Sequence, residues 1–171
     1  MDQSRALALA ALVLALAAPS GVRGQLASGH PGAAFGVSLP TGQLSDGHGS
    51  GFHLAGFMEY SAPTELMGLR AELFYQRFEP RQGLAAGASQ AVGLIANAVY
   101  HIPGRAYHPY LIGGMGADRV TDESTRPGFN MGAGFEIPLT GMSARFEARI
   151  HKVLTDRSSY LALPISFALS F

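Results

Sequence analysis

Seven charged residues are spaced so that they could act together. Arg70 and Glu72 stand two apart, as do Arg145, Glu147 and Arg149, with Glu59 and Glu136 shortly before each group. Residues two apart lie on one face of a β-strand. Carboxylates and guanidiniums gathered this way offer three chemistries: a carboxylate pair working as general acid and base, a gated path for ions, or a set of ion pairs that fills space. Interleaved Arg stabilises the ionised carboxylate, which makes a poor general acid, so the space-filling reading leads. A second constellation lies at 151–159. His151, Asp156, Ser158 and Ser159 supply a base, an orienting carboxylate and hydroxyl nucleophiles, the parts of an acyl-transfer site. No Ser follows His151 at two residues, because Lys152 and Val153 stand there.

Other candidates carry less. His30, His48, His53, His101 and His108 show no metal-ligand spacing, such as His at i and i+4 around a Glu. Gly113, Gly114, Met115 and Gly116 lack the Lys-Ser/Thr of a phosphate loop; in a strand such glycines make room for bulky neighbours. No metal and no cofactor is expected. Arg77, Arg119 and Lys152 fall on the opposite alternation phase from the seven charges, near the ends of three strands. Cations there either pair with phosphates or extend their stems along apolar surface.

The elements that must position these residues are strands. Turn chemistry divides the chain into eight stretches, at 33–41, 51–61, 66–78, 89–102, 107–118, 128–138, 142–152 and 159–171,. The connections alternate in character. Those at 62–65, 103–106 and 138–141 are tight, and those at 42–50, 79–88, 119–127 and 153–158 are longer and more polar. In the third stretch Leu69, Ala71, Leu73 and Tyr75 share one face and Arg70, Glu72 and Gln76 the other. In the seventh, Met142, Ala144, Phe146, Ala148 and Ile150 oppose Ser143, Arg145, Glu147, Arg149 and His151. The sixth sets Met131, Ala133, Phe135 and Ile137 against Asn130 and Glu136.

The chain has 171 residues and zero formal net charge, so nucleic acid is not an expected partner,. It has no Cys, which excludes disulfides, zinc-thiolate sites and a lipidated Cys,. Residues 6–18 form an unbroken Ala/Leu/Val run before Pro19, Ser20 and Gly21. That run is shorter than the roughly 20 residues a spanning helix needs. It reads as a secretory signal peptide over 1–24, followed by a short segment at 25–32 and a single domain at 33–171.

Alternation alone fits two architectures. A soluble barrel or sandwich puts the apolar face inside, and a membrane barrel puts it outside. Charged residues are 14% of the chain, against roughly 25% in ordinary soluble domains. Four apolar faces this continuous would leave a soluble protein short of polar surface. Aromatics also fall at both ends of the apolar rows: Tyr60, Tyr100, Tyr107 and Phe171 at one end, Phe52, Tyr75 and Phe129 at the other. Such girdles mark membrane interfaces. The expectation is an all-β, eight-stranded antiparallel up-and-down transmembrane barrel. Its short turns and both termini would lie in the periplasm, and the seven charges would point into the lumen. Glu59, Arg70, Glu136 and Arg145 would share one depth, with Glu72, Glu147 and Arg149 further out. A lumen of eight strands is just wide enough for side chains to fill it.

The last stretch carries the most specific signal. Leu161, Leu163, Ile165, Phe167, Leu169 and Phe171 alternate with Ala162, Pro164, Ser166, Ala168 and Ser170, and the strand ends on Phe171. With residues 109–116 and 129–138, this pattern resembles the small eight-stranded outer-membrane barrels of the OmpA/OmpX type over essentially all of 32–171. The resemblance implies a bacterial outer-membrane protein. Phe167, Leu169 and Phe171 would then form the signal read by the barrel assembly machinery, and lipid and lipopolysaccharide would be its surroundings. Arg77, Arg119 and Lys152 would meet lipopolysaccharide phosphates, and no peptidoglycan-binding domain is expected to follow. The family hosts adhesins, enzymes and structural barrels alike. The leading expectation is a structural or surface-interaction barrel without catalysis, closed by Glu/Arg pairs. The alternatives are a narrow channel or small-molecule transporter, and a lipid A-modifying enzyme using His151. Pro164 departs from the pattern. It cannot donate to a ladder, so a bulge or irregular pairing is expected there.

Overall fold

The structure is a computed structural model that describes residues 29–61, 66–81, 87–104, 107–121, 124–155 and 160–171. The proposed signal peptide, the turn at 62–65, and Asp156, Ser158 and Ser159 lie outside the described residues.

Eight strands close into one antiparallel barrel in sequence order. They are β1 (Gly29–Thr41), β2 (His48–Ser61), β3 (Met67–Pro80), β4 (Ser89–His101), β5 (His108–Val120), β6 (Thr125–Leu139), β7 (Met142–Val153) and β8 (Tyr160–Ser170). The seam is β1 on β8, paired from Gly32–Ser170 to Thr41–Leu161. Closure leaves no exposed strand edge. The start of β1 and the end of β8 mark the proximal end, and the opposite mouth is the distal end.

Several boundaries differ from the sequence reading, for local reasons. β1 begins at Gly29 and not at 33, because Gly29 to Gly32 pair with Tyr60 to Phe57 of β2. Residues 29–32 read Gly-His-Pro-Gly, which is turn chemistry without alternation, yet a partner strand of sufficient length recruits them. The segment at 42–50 is not all loop. Gly42, at φ +59°, leads into a short helix α1 (Gln43–Gly47), and β2 has already begun at His48. The segment at 119–127 is largely strand, since Asp118 pairs with Arg126 and Arg119 with Thr125. At the proximal end Thr140 and Gly141 connect β6 to β7, with Gly141 at φ +80°, the left-handed geometry a two-residue hairpin needs.

Pro164 perturbs the β8 ladder without a bulge. Pairing with β7 stops after Ala148–Ile165 and resumes at His151–Ala162 in the same register. On the other side Ser38 still pairs with Pro164. The missing N–H interrupts one ladder, and no residue is inserted.

The two faces of the wall have opposite polarity. Val37, Leu54, Met115, Met131, Ile150 and Ile165 are all exposed on the outside. Arg70, Glu72, Gln76, Asn97, Asp118 and Glu59 are fully enclosed within. The outer face also carries a run of aromatic rings. Phe35, Phe167, Phe146 and Phe135 are direct cross-strand partners on β1, β8, β7 and β6. Their ring centroids are 5.6, 5.1 and 5.2 Å apart, within the range of favourable aromatic pairs.

The distal half of the interior carries an apolar cluster, which the alternation of charges did not reveal. Phe74, Phe78, Ala91, Ile95, Val120, Val153, Tyr160 and Ala162 form one buried cluster, and Leu44 of α1 packs against it. Inward glycines on β6 admit the larger side chains opposite. A Cβ at Gly134 would stand 2.5 Å from the Tyr110 ring, and one at Gly128 would overlap the Asp118 carboxylate. Gly56 has open space around it. Gly128→Ala should therefore lower the folded fraction after refolding in detergent, read as heat-modifiable migration on a gel, whereas Gly56→Ala should leave it unchanged.

Candidate functional site

The proximal half of the interior holds the charges. On one wall stand Glu59 of β2 and Arg70 of β3, which are direct cross-strand partners, and Glu72 two residues further along β3. On the other stand Arg145, Glu147 and Arg149 of β7. In an eight-stranded barrel β3 and β7 are diametrically opposed. Strand alternation turns all six side chains inward.

Three rungs cross the lumen. Arg145 Nη1 donates to Glu59 Oε2 at 2.6 Å. Arg70 Nη1 donates to Glu147 Oε2 at 2.8 Å. Arg149 holds Glu72 with two parallel hydrogen bonds, at 2.8 and 2.7 Å. Such bidentate forks are the strongest form of Arg–carboxylate recognition. Bonds along each wall tie the rungs together. Arg70 Nε donates to Glu59 Oε2 at 2.8 Å, and Arg149 Nε donates to Glu147 Oε1. Glu136 meets Arg145 Nη2 at 3.1 Å from the proximal rim.

Two further side chains border this network. Tyr110 Oη donates to Glu147 Oε2 at 2.7 Å, and His101 Nε2 lies 3.3 Å from Glu59 Oε1. The Arg70 guanidinium sits 4.7 Å from the Phe57 ring centroid and 5.6 Å from that of Tyr110, a cation–π arrangement. Arg70 is 1% exposed, so its charge is balanced by protein groups. Ionised carboxylates each held by guanidinium are arranged to neutralise charge, and poorly arranged to deliver a proton.

Above this layer lie polar contacts that the sequence reading missed. His151 Nε2 is 2.8 Å from Asp118 Oδ2. Asn130 Nδ2 donates to Asn97 Oδ1 at 2.7 Å. Gln76 joins His53 at 3.2 Å and accepts from Tyr160 Oη at 2.9 Å. Parity alone could have found Asp118, Asn97 and Tyr110, since each falls on the inward phase of its strand.

His151 faces the lumen and is buried against Asp118, Phe74 and Tyr160. The hydroxyls proposed to act with it lie outside the described residues. Arg77, Arg119 and Lys152 all face outward near the distal rim, each across from an apolar residue: Phe52, Val92 and Phe129. Arg77 is held by Glu79 at 2.8 Å. Arg119 and Lys152 are exposed and have no ion-pair partner among the described residues. Phe167, Leu169 and Phe171 also face outward, and the Phe171 N–H donates to Pro31 O at 2.9 Å across the seam.

Several solved structures of the same shape are outer-membrane proteins. Neisserial surface protein A aligns with a TM-score of 0.68 and 15% identity, over 85% of this chain and 97% of that one. The outer membrane enzyme PagL aligns with a TM-score of 0.52 and 16% identity, over 83% and 98%. Ail of Yersinia pestis, solved in a phospholipid bilayer nanodisc, aligns with a TM-score of 0.52 and 15% identity, over 84% and 100%. At these identities the likeness shows the fold, that of the small eight-stranded outer-membrane β-barrels. No family model matches the chain, and no curated protein matches it in sequence.

Glu147 touches Arg70, Arg149 and Tyr110, so its removal takes a carboxylate from two buried guanidiniums at once. Glu147→Leu should destabilise the barrel by about 3–5 kcal/mol, the range for breaking a buried ion pair from one side. Glu136→Gln, at the wetter edge beside Arg145, should cost no more than about 1 kcal/mol. Equilibrium urea unfolding in detergent micelles, followed by circular dichroism, would separate the two.

Proposed function

We propose that this chain, with the fold of the small outer-membrane barrels, is itself an integral barrel of the bacterial outer membrane with a structural or surface-interaction role. The observation that carries the reading is the inverted polarity of the wall. A soluble barrel would have to expose Phe35, Met115, Met131 and Ile150 to water while enclosing three guanidiniums. In hydrocarbon the same arrangement is the favourable one. The aromatics support it: Tyr100, Tyr107 and Phe171 are exposed toward the proximal end, Phe52 and Phe129 toward the distal end.

In this reading the interior is closed twice, by the ion-paired layer proximally and by the apolar cluster distally. The barrel then acts through its surface and not as a conduit. Phe167, Leu169 and Phe171 serve as the signal for the barrel assembly machinery. Arg119 and Lys152 are the cations best placed for lipopolysaccharide phosphates. Arg77 contributes less, because Glu79 already occupies it.

Four measurements test these statements. The detergent-extracted protein should migrate faster unheated than boiled, and Met131→Arg should cost about 2–4 kcal/mol of folding stability in lipid; tolerance of Arg at 131 would contradict membrane insertion. Planar bilayers containing the protein should show no steady conductance steps, and regular steps would favour the channel alternative. Arg119→Gln with Lys152→Gln should reduce co-purifying lipopolysaccharide more than Arg77→Gln does.

A further inference from the structure

The charges on the two walls alternate, and they alternate in opposite phase. Ordered by the β7 residue that each meets across the lumen, one wall reads Glu59, Arg70, Glu72, with Glu59 and Arg70 side by side on β2 and β3, and the facing wall reads Arg145, Glu147, Arg149. Each rung is therefore an opposite-charge pair. Moving β7 by one rung in either direction changes this completely. One direction sets Arg70 against Arg145 and Glu72 against Glu147; the other sets Glu59 against Glu147 and Arg70 against Arg149. Uniform walls, all negative facing all positive, would attract equally well at several offsets.

We propose that this alternation is a register key: it selects the stagger at which the barrel closes. The need for one follows from the topology. Inward and outward faces must be preserved, so any slip occurs in steps of two residues, which is the spacing of the rungs. Where a two-residue turn joins strands, as at Thr140 and Gly141, the turn itself fixes the register. The β1–β8 seam has no turn, and nothing local sets its register. The offset of β7 against β3 is the sum of the registers on either path round the barrel, through β4 to β6 or through β2, β1 and β8. A slip at the seam, or at any interface on these paths, appears as a mismatch across the lumen. Buried polar groups that fix register at some cost in stability are known from coiled coils. Here the same logic acts across a closed wall, and guanidiniums surrounded by Phe57, Tyr110 and other strands have no water to retreat to when mispaired.

The chain has no native Cys, so engineered pairs report register directly. Val37 and Ile165 are partners at the seam, close enough for a disulfide, whereas residues two positions off are not. Val37→Cys with Ile165→Cys marks the native register, and Val37→Cys with Leu163→Cys or Phe167→Cys marks a slip either way. With the natural interior, only the native pair should oxidise after refolding. Arg70→Glu with Glu147→Arg leaves every rung attractive but abolishes the alternation; slipped disulfides should then form in amounts comparable to the native one. Native-only crosslinking in that chain overturns the proposal. A chain in which all six signs are inverted keeps the alternation, with Glu136→Gln added so that Arg145→Glu meets no second carboxylate at the rim. It should fold and crosslink only in the native register, even if the uniform-wall chain fails to fold. Slipped crosslinks in the inverted chain, or failure of both chains to fold, also overturn it.

Discussion

The ion pair between Arg70 and Glu147 stands at the middle of the proximal interior, and the rest of that half is arranged around it. An eight-stranded barrel has no room for bulk water beside its side chains. A guanidinium placed there must meet a carboxylate, and that carboxylate must have its remaining lone pairs filled. Glu147 meets this demand from Arg70, Arg149 and Tyr110, and Glu59 from Arg70 and Arg145. The three Arg residues thereby lock strands that are far apart in sequence and opposite in space.

Two features of the wall follow from this crowding. Residues facing the long side chains must be small, and β6 presents Gly128, Gly132 and Gly134 inward against Asp118, Arg149 and Tyr110. The remaining volume must be filled with little further charge, and what there is, at Asp118, is paired with His151. The distal half does so with Phe74, Phe78, Ile95, Val120, Val153 and Tyr160, packed like the core of a soluble protein,. The barrel therefore has two interiors, one ionic and one mainly apolar, inside a single hydrogen-bonded wall.

Much of this is legible in the sequence because charge fixes phase. Once Arg70 and Glu72, or Arg145, Glu147 and Arg149, are assigned inward, every other residue of those strands follows by parity. Alternation and turn chemistry locate all eight strands, with most edges within a few residues. What escapes lacks a contrast between the two phases. Residues 29–32 carry no alternation, and pairing with β2 decides them. Phe74 and Phe78 are apolar on the inward phase, where polarity is the guide, so the distal cluster stays hidden. Asp118 closes the fifth stretch as read from the sequence, and only the extension of β5 to Val120 shows it well inside the barrel. Which carboxylate meets which guanidinium depends on barrel stagger, a property of all eight strands that no local pattern carries. The short helix α1 is set by Leu44 finding the distal cluster, a tertiary contact with no signature in five residues.

The seam between β1 and β8 is as long and as regular as the interface between β1 and β2. Geometrically the barrel is thus a ring, and the order in which its strands are written is almost incidental to its shape. Joining Gly29 to Phe171 by a short linker and opening the wall at Thr140 would leave all eight pairings and all three rungs in place. What such a permuted chain would lose is the strand at its own end: β6, finishing in Ile137-Pro138-Leu139, would stand where β8 stands now. A ring of this kind holds the information for its shape in common round the circle, and the insertion signal proposed for Phe167, Leu169 and Phe171 would have to move with β8.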